Sequence, residues 1–187
     1  MKKSLVLTIA LAVSAAPYAR AEPFFAQLLL QGVTFRVESP NEGSINQVTV
    51  RAETTEVALE PMLTEADGTI TSAEVEDLNA DGYPEIYVYI NSAGSGSYGS
   101  LIAYASNRNK SLSPIYLPPI ADDPLASQGY MGHDEFAVGE GTLLRRFPIY
   151  RENDTNAEPT GGTRQIQYKL VAGEAGWILR PDRSVDF

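Results

Sequence analysis

Apolar residues recur at every second position in several short runs of this chain, and clusters of Gly, Pro, Asn and Asp separate the runs. A period of two is the spacing of a strand with one face on a core. Val33-Thr34-Phe35-Arg36-Val37 alternates in this way, and Val48-Thr49-Val50 resumes the pattern after a turn at Pro40-Asn41-Glu42-Gly43. Ile86, Val88 and Ile90 share one face of a predicted strand over residues 84–90, and Leu101, Ala103 and Ala105 continue a core face beyond it. In residues 165–170, Ile166, Tyr168 and Leu170 point one way while Gln165, Gln167 and Lys169 point to solvent. Trp177-Ile178-Leu179 is expected to close the sheet, and residues 22–31 read as an edge strand or a flexible start. Two stretches lack periodicity. Residues 117–135 form a long acidic, Pro-containing connection with one helical turn near Leu125, and residues 151–163 form a long hairpin loop. The pattern predicts an all-β, mostly antiparallel β-sandwich or barrel-like single domain spanning residues 22–187.

The start of the chain has a different pattern. Lys2 and Lys3 precede an apolar run without charge over residues 5–16, and Ala19-Arg20-Ala21 has the small-x-small form of a cleavage site. The run is too short to span a bilayer, so residues 1–21 are expected to be a secretory signal peptide cleaved after Ala21. In a Gram-negative cell the product would be periplasmic. With no Cys in the chain, neither a lipoprotein anchor nor a disulfide can form. Residues 1–21 carry Lys2, Lys3 and Arg20 and no acid, so their removal takes the formal charge from −10 to −13. A field of that sign disfavours nucleic acid and favours a cationic partner.

Two motifs flank the predicted strand at 84–90. After it comes Asn91-Ser92-Ala93-Gly94-Ser95-Gly96-Ser97-Tyr98-Gly99-Ser100, small and polar residues around one aromatic. A rigid amphipathic ring on such a loop is suited to be a binding finger. Gly94, Gly96 and Gly99 match the dinucleotide fingerprint by letter, but a strand rather than a helix follows. Before the strand comes Asp77-Leu78-Asn79-Ala80-Asp81-Gly82-Tyr83-Pro84-Glu85. Oxygen ligands at its positions one, three and five, with Gly at six, resemble a calcium loop. Val88 occupies the twelfth position, which excludes an EF-hand, while Glu85 could still supply a ligand. The alternative is a turn in which Asp77 and Asn79 bind backbone amides. The turn is the preferred reading, and no metal or cofactor is expected to be required; Asp77, Asn79, Asp81 and Glu85 are the ligands if calcium binds.

No catalytic residues are assigned. A serine triad would have to use the single His, His133, and no nucleophile elbow is present. Arg145, Arg146 and Arg164 are among the few cations of the second half, and residues 159–164 read as a hairpin turn rather than a second projecting loop.

The acidic turn, the strand and Ser95-Gly96-Ser97-Tyr98 together resemble the periplasmic inhibitors of invertebrate-type (i-type) lysozyme, exported β-sandwich proteins with a short S-G-x-Y motif. The resemblance is concentrated in residues 77–105. It implies a non-enzymatic inhibitor whose partner is an i-type lysozyme and whose loop Ser95, Gly96, Ser97 and Tyr98 enters the enzyme cleft. By the same resemblance, Ser95 reaches the catalytic carboxylates and Tyr98 fills a sugar subsite. A homodimer is compatible with this reading; a membrane anchor is not. The alternative is a secreted calcium- or carbohydrate-binding β-domain.

Overall fold

The structure is a computed structural model that describes residues 22–174 and 176–187. The expected signal peptide and its cleavage after Ala21 lie outside the described residues. Twelve strands and one short 3₁₀ turn make up the regular structure among the described residues. Strands β1 (Phe24–Leu30), β2 (Val33–Ser39), β3 (Ile45–Glu53) and β4 (Met62–Asp67) form an antiparallel four-stranded sheet in chain order. The N-terminal segment is therefore an edge strand, paired along its length with β2.

The second sheet contains β5 (Thr69–Glu76), β6 (Glu85–Asn91), β7 (Gly99–Ser106), β8 (Leu112–Tyr116), β9 (Glu135–Gly139), β10 (Thr142–Pro148), β11 (Thr163–Ala172) and β12 (Trp177–Asp186). Its order is β5-β6-β7-β8-β12-β11-β10-β9. Trp177-Ile178-Leu179 thus lies inside the sheet instead of closing it. Strand β12 pairs antiparallel with β11 and parallel with β8, which joins the two halves. The sheet curls into a nearly closed barrel. Where its edges meet, the Glu74 carboxylate on β5 accepts the Val138 N–H of β9 at 2.9 Å and the Tyr89 hydroxyl at 2.6 Å.

Strand β6 is buried on both faces. Ile86, Val88 and Ile90 pack with Phe35, Val37, Val48 and Val50 of the four-stranded sheet. Tyr87 and Tyr89 face the barrel interior with Leu143, Phe147, Ile166, Tyr168 and Leu179. Alternation predicts the first face but not the second, because Tyr and Glu pass for solvent-facing residues. Strands β4, β5, β8 and β9 are also poorly marked in the sequence. Acidic residues crowd β4 and β5, and Pro114 interrupts β8, so local propensity is weak there and pairing decides. Strand β6 carries one loop at each end. The acidic turn precedes it, and the glycine-serine loop joins it to β7.

Candidate functional site

Register between β6 and β7 ends at Asn91 opposite Gly99, leaving residues 92–98 as the loop. The loop closes on itself through Ser92 N–H to Tyr98 O (2.9 Å) and Tyr98 N–H to Ser92 Oγ (3.0 Å). A tight turn follows from Ser97 N–H to Gly94 O at 3.0 Å, with Ser97 at φ 42°. Gly96 is where the turn requires glycine, because a Cβ there would stand 2.5 Å from the Tyr98 ring. The ring can fold back over the backbone only if that position has no side chain.

Tyr98 is 48% exposed. Its inner edge meets the Tyr130 ring in a T-shaped contact at 5.7 Å. Ser95 is exposed, and among the described residues only its carbonyl is engaged, by Asn156. Gly96 and Ser97 are half-buried. The four residues of the predicted motif therefore form a tip with one face open and one face braced.

The brace comes from two loops that are distant in sequence. His133 N–H donates to Gly96 O at 2.7 Å, and Asn156 Nδ2 donates to Ser95 O at 2.8 Å. Asn156 Oδ1 also lies 3.2 Å from His133 Nε2, so the two bracing residues contact each other. Gly132, at φ +92°, passes so close that a Cβ would be 2.1 Å from Gly96 O. Asp134 accepts the Gly99 N–H at 2.8 Å where the finger re-enters β7. Met131, 39% exposed, runs beside the tip, with its carbonyl 3.2 Å from where a Cβ on Gly96 would stand.

Behind the brace lies a buried charge pair. Asp134 Oδ1 accepts from Arg145 Nε at 2.7 Å, and Asp134 Oδ2 accepts from the Tyr130 hydroxyl at 2.6 Å. Arg145 Nη2 donates to the Tyr130 oxygen at 2.9 Å, closing a triangle. The guanidinium packs over Tyr130, Phe136 and Phe147 at 5.1, 5.3 and 5.9 Å. Burial works against the Arg145 charge, but Asp134 outweighs it and the pKa is raised. Burial, and then the bond to Asp134, raise the Tyr130 pKa, so the phenol stays protonated. Every strong polar group of the triangle has a partner, as a buried network requires.

Sequence reasoning missed Tyr130, Met131, Asp134 and Asn156, noted Arg145 only as a cation, and weighed His133 only as a member of a serine triad. One signal was present. In β10, Leu143, Arg145 and Phe147 fall on one face, so an arginine sits in an apolar row. A charge in that row must be paired. The sequence does not say that Asp134 is the partner. Residues 159–164 do not reach the finger tip through Thr160, which caps Asp154 instead; the contact from this loop is Asn156.

At the other end of β6, Asp77 Oδ1 accepts Asp81 N–H at 3.0 Å, and Asp77 Oδ2 accepts Gly82 N–H at 2.9 Å. Asn79 Oδ1 also accepts Asp81 N–H at 3.0 Å, and Asp81 Oδ1 accepts Tyr83 N–H at 2.9 Å. The backbone-binding turn expected for Asp77 and Asn79 is thus formed. Glu85 is fully buried. Its Oε2 accepts Leu78 N–H at 2.8 Å and the Tyr87 hydroxyl at 3.4 Å. Burial raises its pKa to about 8; the Leu78 bond opposes this, and the Asp77 and Asp81 charges add to it.

Residues 51–122 match the family model described as periplasmic lysozyme inhibitor of I-type lysozyme. The matched stretch runs from the end of β3 to the 3₁₀ turn at Ile120–Asp122, so it contains both the acidic turn and the finger. The bracing residues His133, Asp134, Arg145 and Asn156 lie beyond it. No curated protein and no solved structure matches the chain. Over the matched residues the chain is similar to an inhibitor family. Among the described residues, no helix is long and apolar enough to cross a membrane.

Proposed function

We propose that this protein is an exported, periplasmic inhibitor of i-type lysozyme that inserts the Ser95-Gly96-Ser97-Tyr98 tip into the enzyme cleft. The family match over residues 51–122 supports the partner, and the finger supports the mechanism. The observation that carries it is a half-exposed Tyr98 on a loop whose backbone is held by two other segments of the chain.

Lysozyme chemistry places two carboxyl groups across a cleft that accepts a sugar chain. Tyr98 offers a flat ring where a sugar would stack. The Ser95 hydroxyl, engaged by no group among the described residues, can donate to a carboxylate. Bracing removes the ordering cost that a free glycine-serine loop would bear on binding. The acidic chain adds long-range attraction toward a basic enzyme. The protein acts by occupying the cleft, with no turnover of its own. Residues 1–21 direct export, and residues 22–187 are the inhibitory unit.

Titrating the purified protein into lysozymes of the invertebrate, chicken and goose types tests the partner. Inhibition of the invertebrate type is expected, and inhibition of none of the three removes the proposal. Tyr98→Ala is expected to weaken inhibition by about 2 kcal/mol or more, roughly thirtyfold. Ser95→Ala is expected to cost less, about 1–2 kcal/mol for one bond to a charged group. The same Tyr98→Ala sample should lose only about 0.5–1.5 kcal/mol of stability, from the Tyr130 contact. A variant that melts several degrees lower yet inhibits normally would end the insertion mechanism.

A further inference from the structure

We propose that the acidic turn at the start of β6 is a binding site for a divalent, oxygen-preferring cation of the calcium type, with Asp77, Asn79, Asp81 and Glu85 as side-chain ligands. Carboxylate oxygens of Asp77, Asp81 and Glu85 lie within 4.8 Å of one another. That spacing lets one ion touch all three, since calcium binds oxygen at roughly 2.3–2.6 Å. Among the described residues, none of the three forms an ion pair.

The turn hydrogen bonds alone do not explain Glu85. Its side chain is 0% exposed, and its Oε1 is buried with no hydrogen-bond partner. A buried unpartnered acceptor is costly and calls for a missing ligand. Protonation would remove the charge but would not supply the partner, because a proton on Oε1 would lack an acceptor. A cation fills the role of that partner and balances Asp77 and Asp81 as well. The turn bonds are compatible with an ion, because each carboxylate oxygen has more than one lone pair.

The donor set selects the ion. All candidate ligands are oxygens, which disfavours zinc and its preference for nitrogen and sulfur. Asp81 is exposed and Asp77 is half-buried, so the loop is open to solvent and can complete a flexible shell with water. Magnesium asks for a stricter octahedron. Asp77 follows β5 and Glu85 begins β6, so a bound ion would pin that hairpin. Gln31 Nε2 donates to Asp77 Oδ2 at 2.8 Å, which ties the site to the turn between β1 and β2. The proposal stands apart from lysozyme inhibition and can hold whether or not the finger binds an enzyme.

The test is calcium titration of the full mature chain in chelator-stripped buffer, read by thermal unfolding and by terbium luminescence. Tyr83 and Trp177 line the same cleft as Asp81 and should sensitise terbium. The expected dissociation constant is on the order of 0.1–1 mM, the range of extracellular modules. Calcium at about 10 mM should then raise Tm by about 3–10 °C. Asp81→Asn, an exposed change, should abolish both signals while the protein stays folded, and Glu85→Gln should do the same. The site is overturned if the unmutated chain gives neither signal. It is equally overturned if Asp81→Asn keeps the full response, or if sodium chloride of matched ionic strength reproduces the Tm shift.

Discussion

Two carboxylates are buried at opposite ends of β6, and their surroundings differ. Asp134, behind the finger, accepts from the Gly99 amide, the Tyr130 hydroxyl and the Arg145 guanidinium. Glu85, behind the acidic turn, accepts from one amide and one long phenol contact, and its Oε1 has no partner. The first carboxylate is complete within the protein. The second is complete only if something is added. A satisfied network fixes a shape, which is what a loop that enters a cleft needs. An unsatisfied one points to a ligand. The two loops look alike in the sequence, both rich in small and polar residues, but one is braced by distant segments and the other leaves a buried acceptor unpartnered.

The largest effect is expected from breaking the complete network. Asp134→Ala leaves Arg145 buried without its counter-charge, and should cost about 3–5 kcal/mol in chemical denaturation. Inhibition per folded molecule should fall with it, because the Gly99 anchor is lost. Glu85→Gln in chelator should cost far less, since the amide keeps an oxygen to accept the Leu78 N–H and replaces a carboxyl whose other oxygen already lacks a partner. Comparable losses from the two changes would abolish the distinction between them.

Gly132→Ala sharpens the role of the brace. The residue sits at φ +92°, and its Cβ would collide with the Gly96 carbonyl. Strain of about 1–3 kcal/mol is expected in the melting free energy. Inhibition should drop by about tenfold or more as the tip shifts. Normal inhibition with lowered stability would show that the tip does not depend on the loop behind it.

Asn156→Ala should have the smallest effect. It removes the bond to Ser95 O and the contact with His133, both near the surface. A stability loss of about 0.5–1.5 kcal/mol is expected, with a faster dissociation rate from lysozyme and a nearly unchanged association rate. A change confined to the association rate would indicate that Asn156 acts in encounter and not in bracing.

Much of the molecule is legible in the chain itself. Alternation at Val33, Phe35 and Val37, and at Ile166, Tyr168 and Leu170, marks strands because one buried face imposes a period of two. The finger and the acidic turn are legible because glycine, serine, Asn and Asp have local reasons to turn a chain. The local hydrogen bonds of Asp77, Asn79 and Asp81 follow from residues within five positions of one another.

What the sequence could not determine depends on distant segments meeting. Burial of both faces of β6, the place of β12 within the sheet and the closing contact at Glu74 are products of strand order, which no local pattern encodes. The finger is rigid because residues 133, 134 and 156 come to it from other parts of the chain. Glu85 is the sharpest case. By spacing it is one more acid in a turn, with the turn as the preferred reading. The fold buries it beneath Leu78 and Tyr87 and leaves one oxygen alone, because burial is a property of packing and not of the residue.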